Sequence, residues 1–395
     1  MSTSVSESPF RQLNIICFDV PFPADYGGAI EEFYKLESLH QLGIKIHLHC
    51  FVYGDRNQQN ELEKYCEQVY YYPRARSVRE MFSSIPFIVK TRMPEVLLEN
   101  LLKNDFPILF DATHTTGFLH HPSLKGRKKL VRLHNIEWIY YRVLFDAAVT
   151  LKEKIFYFSE YKKLREYDKV LEHADALSCL SQTDMEYYQE KFPGNKVQLD
   201  YVFHENEKVS ARPGKGNYIL YHGNLSLIDN YQLIIDLLAN ELKACAHPII
   251  IAGKNPDKTL MDFVKGKSLI RLVANPSGDE LNELIENAHI CLAIAKNASG
   301  VKLKLINSLF KARFVIANEA ALNGSGLDEL CVLPAEGTFQ SVVDELMQRT
   351  FDETMIGNRS AVLLSKYDNL RNAQQIINAI FDVEKNVVKT NMSSM

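Results

Sequence analysis

Residues 205–224, ENEKVSARPGKGNYILYHGN, decide the fold. The stretch 205–217 is polar and carries Pro and Gly, the composition of a connecting segment. YILYHGN (218–224) is a short apolar run closed by Gly-Asn, which reads as a buried strand ending in a tight turn. An alternation of apolar runs and helical patterns is complete before this segment and begins again after it.

Upstream, the candidate strands are LNIICFD (13–19), KIHLHCFV (45–52), VYYYP (69–73), PILFDA (107–112), KLVRLHN (129–135) and ALSCLS (176–181). Helical patterns such as Ala29–Leu42 lie between several of them. Downstream come a helix ending near 243, HPIIIAGKNP (247–256), SLIRLVANP (268–276), a helix at 279–287, HICLAIA (289–295), a further helix and RFVIAN (313–318). Apolar runs alternating with helices specify βαβ units and parallel sheets. The expectation is an α/β chain of two Rossmann-like doubly wound domains facing a central cleft: an N-terminal domain at 1–205 and a C-terminal domain at 206–368. An amphipathic helix from Asn369 to Val387 and a polar tail complete 369–395.

The chain has 395 residues, 46% hydrophobic and 24% charged, enough for two cores. A net charge of −4 gives no basic field for nucleic acid. Seven scattered cysteines, without a CxxC pair, read as reduced core residues in a cytoplasmic protein. The polar start MSTSVSESPF is unlike a secretory signal, and no apolar run reaches membrane-span length. Attachment to the inner face of a membrane stays open, and KGRKK (125–129) is a basic run that suits anionic lipid or phosphate. No HExxH, DxD pair, GxSxG elbow or Walker loop occurs, so neither a metal nor a bound cofactor is expected.

Chemistry is sought in the loops after the strands. Gly27 and Gly28 open the first helix and leave backbone N–H groups accessible. Asp111, His114, Thr115 and Thr116 follow one strand, and His134, Asn135, Glu137 and Arg142 follow another. His222, Gly223 and Asn224 end the first strand of the second half. In SGVKLKLINSLFKARFVIAN (299–318), Ser299 and Gly300 open a helix with Lys302 and Lys304 in its first turn. Cations oppose the dipole at that end unless an anion is held there, so the stretch reads as an anion site or as surface lysines. The charged stretch 152–172, KEKIFYFSEYKKLREYDKVLE, reads as a solvated helix with one packed face.

The segments VPFPADYGGAIEEFYKL, VRLHNIEWIYYR, ADALSCLSQTDMEYY, YILYHGNLS, IIIAGKNP and SGVKLKLINSLFKARFVIAN, in that order, resemble retaining glycosyltransferases of GT-B architecture, family 4 above all. The likeness covers about residues 12–345. It implies a sugar moved from a nucleotide-sugar donor to a glycan or lipid-linked acceptor, with retention and without metal. It implies that Lys302 holds the donor diphosphate with the turn Ser299, Gly300 and Val301, and that Gly27 and Gly28 face it from the other domain. Gly223 and Asn224 fall in a loop that approaches the phosphates. His134 matches the histidine that contacts the transferred sugar, and the last helix matches one that crosses back to the first domain. One position departs: Asn307 stands where the family carries a glutamate on the donor ribose. An uncharged, weaker acceptor there leaves open a catalytically weak or inactive GT-B module that binds nucleotide sugar or glycan.

Overall fold

A computed structural model describes residues 11–75, 77–298 and 300–381, with Val78 described by its backbone alone. The chain divides into two compact units. One comprises residues up to Cys179, Tyr187–Asp200 and the segment from Asn369; the other comprises Leu180–Glu186 and Tyr201–Asp368.

The first unit carries strands β1 (Gln12–Ile16), β2 (Lys45–Val52), β3 (Gln68–Pro73), β4 (Ile108–Asp111), β5 (Lys129–Leu133), β6 (Ala176–Cys179) and β7 (Lys196–Leu199). They pair in parallel in the order β3-β2-β1-β4-β5-β6-β7. Ile15 stands in register with Leu48 on one side and Leu109 on the other. The central strands are buried on both faces, which is why they read as unbroken apolar runs. Strand β7 escaped the sequence reading because KVQL alternates polar and apolar at the sheet edge and is half-exposed.

Asn369–Ile380 is a helix whose Ala373, Ile376, Ile377 and Ile380 recur at helical spacing and are buried. It packs against the Gly27–Gln41 helix, so the end of the chain completes the first unit. The remainder of the expected stretch to Val387 lies outside the described residues.

The second unit carries β8 (Ile219–Asn224), β9 (Ile249–Lys254), β10 (Ile270–Ala274), β11 (Ile290–Ala293) and β12 (Phe314–Ala317), all parallel, in the order β10-β9-β8-β11-β12. Apolar clusters cover both faces of this sheet. The polar segment 205–217 is strapped to this unit. Ser210 N donates to Phe310 O (2.8 Å), Gly214 N to Phe351 O (2.7 Å) and Gly216 N to His289 Nδ1 (3.0 Å). A Cβ at Gly216 would meet the Asn287 carbonyl at 2.6 Å, so that glycine serves the strap. No helix among the described residues is long and apolar enough to cross a membrane.

Candidate functional site

The second sheet reverses its winding between β8 and β11. Such a reversal opens a crevice beyond the carboxyl ends of the strands, where open α/β sheets bind ligands. The Leu303–Lys311 helix begins at this crevice, its Leu305, Ile306 and Leu309 buried in the core. Gly300 precedes it at φ +67°, a conformation that suits glycine. Ser299 lies outside the described residues. Val301 packs its side chain against the apolar core.

Lys302 is the residue that caps this helix, in extended backbone, rather than a member of its first turn. Its Nζ donates to Asn297 Oδ1 at 3.1 Å, and Asn297 Nδ2 donates to Asp229 Oδ2 at 3.3 Å. Burial pulls the Lys302 ammonium down to about 8, against the pull of Asp229. Lys304 differs. Its Nζ is shut off from solvent, finds no hydrogen-bond partner and lies 5.2 Å from the Tyr221 ring centroid. Burial, with Lys302 adding repulsion, pulls Lys304 down to about 8 as well. His222 is pushed to about 3, by burial first and Lys304 second, so it is neutral and adds no charge. A buried ammonium without an acceptor, beside a second lysine at a helix N-terminus, is an arrangement that an anion would relieve. The sequence flagged both lysines and the resemblance singled out Lys302; only packing shows that Lys304 is the unsatisfied one.

The remaining residues here have structural partners. Asn224 Oδ1 accepts from Ser226 N and Oγ (3.1 and 2.8 Å), fixing its own loop. At Gly223 an added Cβ would meet nothing closer than 3.7 Å. The close approach that needs glycine is at Gly253, whose Cβ would stand 1.9 Å from the Gly223 carbonyl oxygen. Asn307 Oδ1 accepts from Asn206 Nδ2 at 2.8 Å, and Asn206 N donates to His204 Nδ1 at 3.1 Å.

In the first unit the winding reverses between β1 and β4. Asp111, fully buried at the end of β4, forms an ion pair with the buried Lys35 and accepts from His134 Nε2 at 2.8 Å. Burial alone would raise the Asp111 carboxyl, but Lys35, with His134, holds it well below the usual carboxylate range. An ionised acceptor there fixes the proton of His134 on Nε2 and leaves Nδ1 as the acceptor nitrogen. Lys35 stands 3.9 Å from Glu31, Glu31 2.5 Å from Arg132 Nε, and Arg132 Nη1 donates to Ser178 Oγ at 2.8 Å. His134 is thus the outer end of a buried chain of alternating charges. The residue after Asp111, Ala112, has φ +61° and ψ 161°, a region nearly reserved for glycine that costs roughly 1–3 kcal/mol.

Phe18 joins the residues that the sequence singled out in this unit. Its ring meets His134 and His114 edge-on, at 5.5 and 5.2 Å between centroids. A Cβ at Gly28 would meet Phe18 Cζ at 2.7 Å, so the second glycine makes room for this ring. Gly27 is exposed at the helix start. His114 Nε2 stands 3.3 Å from Glu137, while Arg142 pairs outward with Asp146. Thr115 and Thr116 turn their hydroxyls onto local carbonyls and are structural.

A cavity of about 760 Å³ opens beside Phe18 and His114. Arg56 enters it, ion-paired to Asp25 and Asp19. Arg92 lines it too, with Nε donating to Phe18 O (2.7 Å) and Nη1 to Ile88 O (2.8 Å). The sequence reading overlooked both arginines, since neither belongs to a motif.

Cys17, Glu32 and Asp111 bring possible metal-ligand atoms within 4.8 Å of one another, but this grouping is a poor cation site. Burial pushes the Glu32 carboxyl and the Cys17 thiol well above their usual ranges, disfavouring the charged forms that would hold a cation, and Lys35 already neutralises Asp111.

The backbone fold agrees with that of several solved structures. Sucrose-phosphate synthase from Thermosynechococcus elongatus superposes with a TM-score of 0.67 at 14% identity, covering 94% of this chain and 98% of that one. Anabaena HepE in complex with UDP-glucose gives 0.62 at 11%, covering 94% and 100%. The fold is GT-B. In sequence, this GT-B chain is 26% identical over 342 residues to an uncharacterized 44.6 kDa protein in the cps region of Klebsiella pneumoniae, 79% of this chain and 84% of that protein. No family model matches.

Proposed function

We propose that this GT-B chain is a glycosyltransferase of the family 4 type, moving a sugar from a nucleotide-sugar donor to a glycan or lipid-linked acceptor. The observation that carries the reading is the buried, unpartnered Lys304 ammonium beside Lys302 at the switch point of the second sheet. HepE, solved with UDP-glucose, supports a nucleotide sugar as the matching anion.

Lys302, Lys304 and the N–H groups that open the Leu303–Lys311 helix would hold the donor diphosphate and stabilise the charge that builds on it as it leaves. These cations supply the stabilisation without a metal. His134, oriented by Asp111, offers Nδ1 to a hydroxyl of the transferred sugar. The bond from the anomeric carbon to the diphosphate oxygen breaks, the bond to the acceptor oxygen forms on the same face, and the acceptor proton passes to the departing diphosphate. Retention by this front-face route needs no carboxylate nucleophile. Asp111, engaged by Lys35 and His134, is poorly placed to act as one.

The test is thermal unfolding with nucleotide sugars, UDP-glucose first, followed by an assay for released nucleoside diphosphate. A ligand that binds only the native state raises the midpoint. Lys302→Ala is expected to abolish both shift and turnover while the ligand-free melt stays within a few degrees. A full shift in the variant would sink the site assignment.

One observation favours the second reading, a GT-B module that binds donor or glycan without turnover. The acceptor atom of Asn307 is already taken by Asn206. Turnover by the wild type rejects this second reading, and Asn307→Glu tests whether position 307 meets the donor. A carboxylate can keep the Asn206 bond with one oxygen and offer the other to a ribose hydroxyl. The expected result is donor binding tightened about fivefold, roughly 1 kcal/mol, by isothermal titration. Unchanged affinity would remove position 307 from the donor site.

A further inference from the structure

The Glu137–Ala147 and Leu151–Tyr167 helices form a hairpin in the first unit, and apolar side chains are exposed at its tip. Val149 is 88% exposed, Leu151 74%, Ile155 62% and Phe158 46%. Residues 151, 155 and 158 share one helix face. The opposite face buries Tyr161, Leu164 and Tyr167 against Ile88, Val89 and Tyr141, so Val149, Leu151 and Ile155 are surplus to the core, while Phe158 also meets the Phe145 and Tyr161 rings. Nor is it a frayed end. Thr150 and Glu153 form a reciprocal capping box at the helix start.

The charges at the tip of the stripe are mainly positive. Lys152, Lys154 and Lys162 are exposed, and no carboxylate among the described residues pairs with them. Of the neighbouring acids, Glu153 is occupied in the cap, Glu160 by Lys163 at 2.8 Å and Asp146 by Arg142 at 3.2 Å, while Glu166, one turn beyond Lys162, is exposed. The KGRKK run does not present a comparable surface. Arg127 turns inward to the Leu101 and Phe106 carbonyls, and Lys129 Nζ donates to Leu119 O at 2.9 Å.

We propose that the hairpin tip docks this protein on an anionic lipid surface, with Val149, Leu151, Ile155 and Phe158 entering the headgroup boundary and Lys152, Lys154 and Lys162 facing acidic headgroups. An apolar helix stripe rimmed by lysines is the pattern of interfacial attachment, and each lysine near an acidic surface adds to the attraction. The surface lies outside the residues assigned to sugar transfer, so its failure and the failure of that function are read by separate assays.

The experiment is flotation of the full chain with vesicles of about 3:1 phosphatidylcholine to phosphatidylglycerol, compared with phosphatidylcholine alone. The wild type is expected to float with the acidic vesicles and to be released by salt. Val149→Ser/Leu151→Ser/Ile155→Ser is expected to lose at least tenfold in bound fraction. Lys152→Glu/Lys154→Glu is expected to lose a similar share, and Lys128→Glu to lose none. If the triple variant misfolds, Ile155→Trp replaces it: vesicle binding should blue-shift its emission and expose it to quenching by brominated lipid. Wild-type protein that stays off acidic vesicles, or a triple variant that floats equally well, overturns the proposal. So does a wild-type dimer in light scattering that the triple variant converts to monomer, because the stripe would then belong to a second copy.

Discussion

Lys304→Met is expected to stabilise the free protein and to destroy its affinity for a nucleoside diphosphate. The folded-state value of Lys304, about 8, lies below the 10.5 of an unhindered lysine. The folded chain therefore disfavours the ammonium. The penalty is fully present below pH 8, shrinks as pH rises, and is gone above 10.5. At pH 7 the substitution should add about 1–3 kcal/mol, discounting for the side chain's partial solvent contact. The methionine end would sit over the Tyr221 ring, a favourable sulfur–aromatic position. Urea denaturation at pH 7 and at pH 10.5 checks the sign: a clear gain at the first and little at the second. Titration with UDP checks the function, with binding weakened by roughly 2–4 kcal/mol, a factor of about 30 to 1,000. A variant no more stable than the wild type at pH 7 would mean that Lys304 has an acceptor.

Asp111→Asn is expected to be the most damaging single change in the first unit. It strands the Lys35 ammonium in a fully buried position, with Glu31, already committed to Arg132, 3.9 Å away. Removing one partner of a buried pair costs about 3–5 kcal/mol, and Lys35→Met in the same chain should recover much of it. The pH dependence has a definite sign. Because the folded carboxyl titrates below its unfolded value, the stabilisation is complete above pH 4 and lost as pH falls towards the folded value. Acid denaturation should therefore lose part of its steepness below pH 4 in the variant. Turnover should fall even in the recovered double variant, because a neutral amide no longer fixes the His134 tautomer. Equal urea midpoints for wild type and Asp111→Asn would refute the ion pair.

The sheets were legible because buried parallel strands are apolar on both faces, so runs such as PILFDA and HICLAIA stand out unaided. The candidate residues on single loops, Gly28, Asp111, His134 and Lys302, could be singled out for a similar reason: each follows or precedes such a run. What stayed hidden was pairing at long range. Lys35 and Arg132 look like ordinary charged residues of a helix and a strand, and charged residues usually face water. Their burial follows from Asp111 and Glu31, which stand 76 and 101 positions away in sequence. The tight contact of Gly253 with the Gly223 carbonyl escaped, since a sequence shows that glycines are present but not which backbone meets which. Arg92 escaped because its bonds go to carbonyl oxygens, which every residue carries.

The helix Asn369–Ile380 sets the order in which a ribosome can finish this protein. The second unit is fully synthesised at Asp368, while the first still lacks the helix that covers Gly27–Gln41. The part made first is completed last. Throughout elongation its Ile376, Ile377 and Ile380 contacts are missing, leaving an uncovered apolar surface on the nascent chain. Truncation before residue 369 would fix that unfinished state permanently, and ribosome-bound chains stalled there should be cleaved by protease in the first unit before the second.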